Sequence, residues 1–330
     1  MATENQALNQ RYADRFLAFI GNTNENERQA HITDELLHQL SSDIPDIFTR
    51  HDHQKLDIVD LGCGPGEMAK SFQAFFETVN IEGARVNAFE LNREHMVSAQ
   101  RAISDSVVVP EDIFHPQKDI RGTLGLKSEP AAIFVSHSGY YGYDKNYGSD
   151  NQPKLEALVD NVAGLMGKRT IAFIQHKAPE PTNILKRKYA NIVESDTTEA
   201  LSKIFNKRGM KSFPVRFEAV LEFPQVEEGL WKELENPKPY PQTDYENGKE
   251  VRDLLEFLIH KGLEEMTHND RINYLADAKK LIREYDGAIP TFIEQRVVIS
   301  KDADRSFREE VKSVVDKVAK KHFSEMQIAT

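Results

Sequence analysis

Asp57-Ile58-Val59-Asp60-Leu61-Gly62-Cys63-Gly64-Pro65-Gly66-Glu67 decides how this chain folds. An apolar, β-type run enters the stretch, glycines then alternate, and a helical pattern from Met68 to Phe76 takes over. A strand that breaks into glycines at the start of a helix is how an α/β sheet presents bare backbone N–H groups to a ligand. Gly62, Gly64 and Gly66 carry no Cβ, so the chain can turn tightly and a ligand can come close to the backbone.

The spacing separates two kinds of ligand. A dinucleotide turn wants G-x-G-x-x-G, whose third glycine would stand where this chain has Glu67. Here the pattern is G-x-G-x-G, preceded by Asp60 and followed by Glu67. A carboxylate after the glycines repels a pyrophosphate and suits a ligand without one. With its strand ahead and its helix behind, the stretch resembles motif I of class I S-adenosylmethionine (SAM) methyltransferases. That resemblance implies SAM contacts from Asp60, Gly62, Cys63, Gly64 and Glu67.

The 330 residues suffice for one large α/β domain with an insertion, or for two modest domains. With 29% charged and 39% hydrophobic residues, the composition is that of a soluble globular chain. A net charge of −11 argues against a protein that tracks nucleic-acid phosphates and favours cationic substrates. The one cysteine, Cys63, excludes an intramolecular disulfide, so a reducing, cytoplasmic setting is expected. Cys63 reads as a small residue tolerated in a tight turn rather than as a nucleophile. Residues 1–9 hold no apolar signal core and no run reaches membrane-spanning length, so no membrane partner is expected. No metal site is expected.

Asn9 to Phe19 reads as an amphipathic helix, and the polar break Gly21 to Glu27 offers Thr23 or Asn24 as cap for a second helix through Leu40. Arg85 to Leu91 reads as the second strand, ending in Glu90. An acid there can accept from both ribose hydroxyls of an adenosine ligand. Val107 to Val109 reads as the third strand. After it, Asp112 can accept from an adenine amine while Ile113 packs on the ring, or Asp112 is an ordinary turn former. Ala131 to Ser136 reads as a buried fourth strand that runs into His137-Ser138-Gly139-Tyr140-Tyr141. Tyrosine faces there favour a sulfonium or an ammonium, and His137 can exchange a proton near neutral pH.

A helix from Leu155 to Met166 and a strand from Thr170 to Ile174 follow, and His176 beyond them has no partner visible in the sequence. Helical stretches are expected at Asn183–Val193 and Thr198–Lys207, then an alternating strand from Phe213 to Phe223. Pro224 to Pro290 interrupts the last hairpin with helices near Lys249–His260 and Arg271–Tyr285, a candidate substrate cover. Phe292 to Ser300 resumes the sheet, and Ser306 to Phe323 is a final amphipathic helix.

With these pieces placed, the chain resembles the histamine N-methyltransferase family over most of residues 10–300. The glycine turn and Glu90 match that family's SAM site, Tyr140-Tyr141 stand at its tyrosine pair, and Glu25 falls on its substrate-binding glutamate. Gly248 to Leu258 resembles its late helix. The chain departs from the family at its imidazole-holding glutamine, where His137 stands, and at an asparagine of the last strand, near Thr291 or Phe292. Leu91, His95 and Ser136 complete the cofactor set that the resemblance implies.

The expectation is therefore an α/β chain with a Rossmann-like, seven-stranded class I methyltransferase sheet. Residues 1–50 form an N-terminal helical cap, 51–224 the SAM-binding core, 225–290 a helical substrate-cover insertion, and 291–330 the last strand and C-terminal helix. The expected activity is SAM-dependent methylation of a nitrogen on a small amine or imidazole-like molecule. Glu25, His137, Tyr140 and Tyr141 would hold the substrate, with His137 and Tyr141 at the reacting atoms. Three alternatives stay open: a methyltransferase for a protein or larger metabolite, an NAD-linked oxidoreductase, and a SAM-binding module without catalysis.

Overall fold

The computed structural model describes residues 11, 14–49, 54–135, 152–178, 180–190 and 197–328. Its strands are β1 (Leu56–Leu61), β2 (Ala84–Phe89), β3 (Ser106–Val109), β4 (Ala132–Val135), β5 (Ile171–Lys177), β6 (Lys211–Glu222) and β7 (Ala288–Ile299). They form one sheet in the order β3-β2-β1-β4-β5-β7-β6. The pairs from β3 through β5 are parallel, and β7 lies antiparallel to β5. With helices between the strands, this is the class I methyltransferase variant of the Rossmann-like fold. The strand order reverses at β1 and β4, and such a switch point opens a crevice at the carboxyl ends of the strands.

The helices are α1 (residues 14–21), α2 (Glu25–Asp43), α3 (Glu67–Val79), α4 (Arg93–Ala102), α5 (Ile120–Thr123), α6 (Gln152–Leu165) and α7 (Asn183–Leu185). A π-turn, Lys186–Ala190, continues α7, and α8 (Thr197–Lys207) precedes β6. Between β6 and β7 lie α9 (Glu228–Glu235), α10 (Gly248–Ile259) and α11 (His268–Glu284), and α12 (Arg305–Ile328) ends the chain. The expected β5 ends too early: Gln175 and His176 belong to the strand, because β7 extends its hydrogen-bond ladder to Lys177. The insertion carries one more helix than its sequence pattern announces. α9 is only eight residues long, and it buries Leu230, Trp231 and Leu234 on one face.

The chain divides into two compact units. One comprises residues 29–178, 196–217 and 293–330. Every residue of β1 is buried, as expected for a central parallel strand covered on both faces. Its face toward α6 and α8 presents Val59 and Leu61, which join Ile133, Val135, Leu158, Val162, Ile174 and Phe205 in the main core. On the opposite face Phe134 stacks on Phe72 of α3 (ring centroids 3.7 Å apart) and on Phe173 of β5 (5.1 Å). Each such ring, fully buried, contributes about 2–3 kcal/mol by leaving water. Asp57, one of two acids in β1, is neutralised by Arg85 (2.7 Å) and accepts from Asn87 (3.2 Å).

The other unit comprises residues 1–28, 179–195 and 218–292. Its core joins Phe19 of α1 with Trp231, Leu254, Leu255, Leu258 and Tyr274 of the insertion. Glu256, with a fully buried side chain, is held by Arg11 (2.7 Å), Arg15 (2.7 Å) and Arg252 (2.9 Å). A carboxylate in that position persists only because such donors replace its lost water. Residues 22–24 run along β6: Asn24 N donates to Val220 O (3.2 Å), and Glu222 N donates to Asn22 O (2.7 Å). Pairing of this kind covers the backbone groups that a sheet-edge strand leaves open.

Among the described residues no helix is long and apolar enough to cross a membrane.

Candidate active site

Backbone hydrogen bonds shape the turn after β1. Gly62 N (2.8 Å) and Cys63 N (3.1 Å) both donate to Phe89 O at the end of β2. Gly66 N then donates to Cys63 O (3.1 Å), and Gly66 caps α3 with φ 90°. A Cβ at Gly66 would stand 2.8 Å from Ala99 Cα, so the turn rests directly on α4. Gly64 differs: its φ is +56°, and among the described residues nothing lies within 4 Å of where its Cβ would be. The open side of the turn is therefore at Gly64, with room for a ligand against bare backbone.

Two acids flank that opening. Glu90, just past β2, accepts from Gly64 N through Oε2 (2.7 Å) and from Asn92 N through Oε1 (2.7 Å). A carboxylate offers about four lone-pair sites, so about two remain for a pair of hydroxyls. These two backbone hydrogen bonds hold the Glu90 side chain in place. Asp60, at the end of β1, is 1% exposed, and neither of its carboxylate oxygens has a hydrogen-bond partner among the described residues. Burial, helped by the charge of Glu90, pushes its pKa up to about 8. An unpaired buried acid costs stability, and native chains keep such groups chiefly where a ligand completes them.

The sign of that cost can be measured. The unfolded carboxyl titrates near 3.8, so folding carries no penalty from Asp60 below that pH. Stability is then lost progressively as pH rises toward 8. Asp60→Asn removes the charge, so the ligand-free variant melts roughly 3–6 °C above the parent chain at pH 7.5, and at the same temperature near pH 4. Thermal unfolding at the two pH values checks this.

The remaining candidates are placed as follows. Cys63 is 6% exposed, and its thiol is pushed well above its ordinary range, first by burial and then by Asp60 and Glu90. It stays protonated and is no nucleophile. Glu67 is exposed in the first turn of α3. Leu91 is 61% exposed directly after Glu90, an apolar surface open to a flat ring. His95 Nδ1 lies 4.0 Å from Glu90 Oε1. Asp112 Oδ1 accepts from Phe114 N (2.9 Å), an Asx turn that still leaves one oxygen near His115, while Ile113 is buried in the main core. Ser136, His137, Tyr140 and Tyr141 lie outside the described residues.

Glu25 opens α2 and belongs to the other unit, where its side chain is buried and its N–H donates to Thr23 Oγ1 (3.3 Å). Of the two residues expected to cap α2, Asn24 stands at the N-cap position with its side chain accepting from Val220 N (2.7 Å), and Thr23 forms a local turn one residue earlier. That unit also holds a cavity of about 290 Å³ lined by Glu180, Pro181, Asn183, Ile184, Arg187 and Phe292.

The structure also brings together residues that the sequence leaves isolated. His176 Nε2 lies 3.4 Å from Glu294 Oε1 and 3.3 Å from Arg296 Nε, all in the β5–β7 pair. Glu294 further accepts from Arg216 (2.7 Å). The signal was present as two charged residues, Glu294 and Arg296, at alternate positions of a buried strand. Gln29 and Gln175 carry no such signal, and both bury an amide oxygen without a partner among the described residues.

No protein-family profile and no curated protein matches the chain. Solved structures do. A TehB-like SAM-dependent methyltransferase from Corynebacterium glutamicum is 15% identical, over 59% of this chain and 85% of its own, at a TM-score of 0.35. The plantazolicin methyltransferase BamL, in complex with a triazolic desmethyl-plantazolicin analogue and S-adenosylhomocysteine (SAH), is 11% identical, over 89% and 98%, at 0.40. A precorrin-6y C5,15-methyltransferase from Geobacter metallireducens is 14% identical, over 50% and 70%, at 0.33. At such distances the function must be read from the turn and its two acids.

Proposed function

We propose that this chain is a SAM-dependent methyltransferase that acts on a nitrogen of a small amine or imidazole-like molecule. One observation carries the cofactor: the buried, unpartnered Asp60 lies at an open glycine turn beside a preset Glu90. Glu90 would hold the ribose hydroxyls, Leu91 would cover the adenine, and Asp60 would meet the positive charge of the methionine end. Bound there, SAM supplies a methyl group already activated by its sulfonium. Asp60 must be ionised to meet a cation, so affinity for SAM rises with pH up to about 8.

The same features speak against an NAD-linked oxidoreductase. Asp60 and Glu67 would both face or flank a pyrophosphate, and like charge opposes that. The acceptor rests on the sequence resemblance. In this proposal Glu25 attracts the cationic or polar end of the substrate, and Tyr140 and Tyr141 shape the slot and stabilise positive charge. His137, or a water, takes the proton that the methylated nitrogen releases. The chain's own work is mainly to align a neutral nitrogen lone pair with the methyl carbon and to keep water out.

A turnover screen tests the reading. Full-length protein with SAM and a panel of biogenic amines and imidazoles is expected to release SAH with at least one small acceptor. Label from methyl-labelled SAM that enters lysate protein instead would favour the protein-methyltransferase alternative. SAH release from no acceptor of either kind would leave a binding module.

A further inference from the structure

We infer that two buried amides, Gln29 on α2 and Gln175 on β5, receive N–H groups of the methyl acceptor; the inference rests on the methyltransferase reading above. Strand alternation fixes the place. Ala172 and Ile174 of β5 point into the main core, while Phe173 stacks on Phe134 on the opposite face. Gln175, two residues beyond Phe173, shares that opposite face. Across the antiparallel pair Gln175 stands opposite Gln295, which accepts from Thr33 Oγ1 of α2 (3.0 Å). Gln29 is one turn before Thr33 on the same buried stripe of α2. The helix runs opposite to β5, because Arg169, just before β5, donates to the carbonyl of Pro45, just after α2 (3.5 Å). Moving from Thr33 to Gln29 therefore leads toward the carboxyl end of β5, where the sheet opens to ligands.

Both amides are nearly inaccessible, Gln29 2% and Gln175 6% exposed, and the carbonyl oxygen of each is buried without a hydrogen-bond partner among the described residues. One such group is uncommon in a folded chain, and two beneath one helix point to a missing donor. The vacant valences are acceptors, which selects the ligand chemistry: a primary amine or an imidazole N–H rather than a carboxylate or phosphate. Amides do not titrate, so these residues orient the acceptor and move no proton.

The distance to Asp60 agrees with a division of labour. Asp60 is in register with Phe134, and Phe134 with Phe173, so Asp60 and Gln175 lie on one sheet face, two strands apart. Strand spacing and residue rise together put their backbones about 12 Å apart. Asp60 then serves the cofactor end of the crevice, and the amides serve the acceptor end.

The test uses Gln29→Met and Gln175→Met in the full chain, with histamine and propylamine as probes in the presence of saturating SAH. Each variant is expected to melt about 2–4 °C higher without ligand, since an isosteric apolar group relieves an unpaired oxygen. SAH affinity is expected to stay within about twofold, and amine affinity to fall at least about tenfold, by calorimetry. A lower melting temperature would show that the amides are structural and overturn the inference. So would unchanged amine affinity in both variants, or a parent chain that binds SAH and neither amine. A parent chain that binds no SAH would overturn the methyltransferase reading beneath it.

Discussion

Glu90→Ala lowers the affinity for SAM by about 100-fold or more while the chain stays folded. Glu90 already spends one lone pair of each oxygen on Gly64 N and Asn92 N, both at 2.7 Å. The lone pairs left over are aimed from the end of β2, where the ribose of an adenosine ligand lies. Each hydrogen bond to a charged group is worth about 1.5–3 kcal/mol, so losing two costs roughly 3–5 kcal/mol of binding. The alanine also frees Gly64 N, while the turn keeps its two hydrogen bonds to Phe89 O at the end of β2. Glu90→Gln keeps an acceptor oxygen, so its loss is expected to be nearer tenfold. Calorimetric titration with SAM measures both, and equal affinities for the parent chain and Glu90→Ala would remove Glu90 from the site.

Gly66→Val has the largest expected effect on stability, about 3–5 kcal/mol, or a fall in melting temperature of roughly 10 °C. Its φ of 90° belongs to a region that β-branched residues avoid. Its Cβ would meet Ala99 Cα at 2.8 Å, Ala99 Cβ at 3.1 Å and Ile103 Cδ1 at 3.1 Å. The nearest of these is backbone of α4, which cannot swing aside. Gly64→Ala is the contrasting case. With nothing within 4 Å of its Cβ, it carries only the backbone cost of about 1 kcal/mol. Its methyl group instead enters the space kept for a ligand, so it weakens binding more than folding. Thermal unfolding and SAM titration of the two variants separate these effects.

The order of strands and helices was legible because the central strands are short, mainly apolar runs followed by helical periods. β1 and its glycine turn carry that signal most plainly: six buried residues, then three glycines with positive φ. The position of Glu90 just past the second strand was legible as well, and its hydrogen bonds to Gly64 N and Asn92 N were not. What escaped detection depends on partners far away in sequence. His176 is matched by Glu294 and Arg296, more than a hundred residues later, and only the antiparallel placement of β7 brings them together. Gln29 and Gln175 are single polar residues in buried stripes. Only the fold shows that neither oxygen finds a donor among the described residues. The helix α9 was hidden because eight residues between a strand end and a proline-rich turn give too short a period to recognise. The turn chemistry of Asp112 was foreseen as an alternative to adenine recognition, and its hydrogen bond to Phe114 N is that of a turn former.

The most direct measurement is a calorimetric titration of the unmodified chain with SAM at pH 8, paired with thermal unfolding and with NAD as the comparison ligand. A turn shaped for a methionine-tailed adenosine gives saturable heat with SAM and a melting temperature raised by about 5 °C at a hundredfold excess over Kd, with no response to NAD. Absence of heat and an unmoved melting temperature at millimolar SAM would contradict the account.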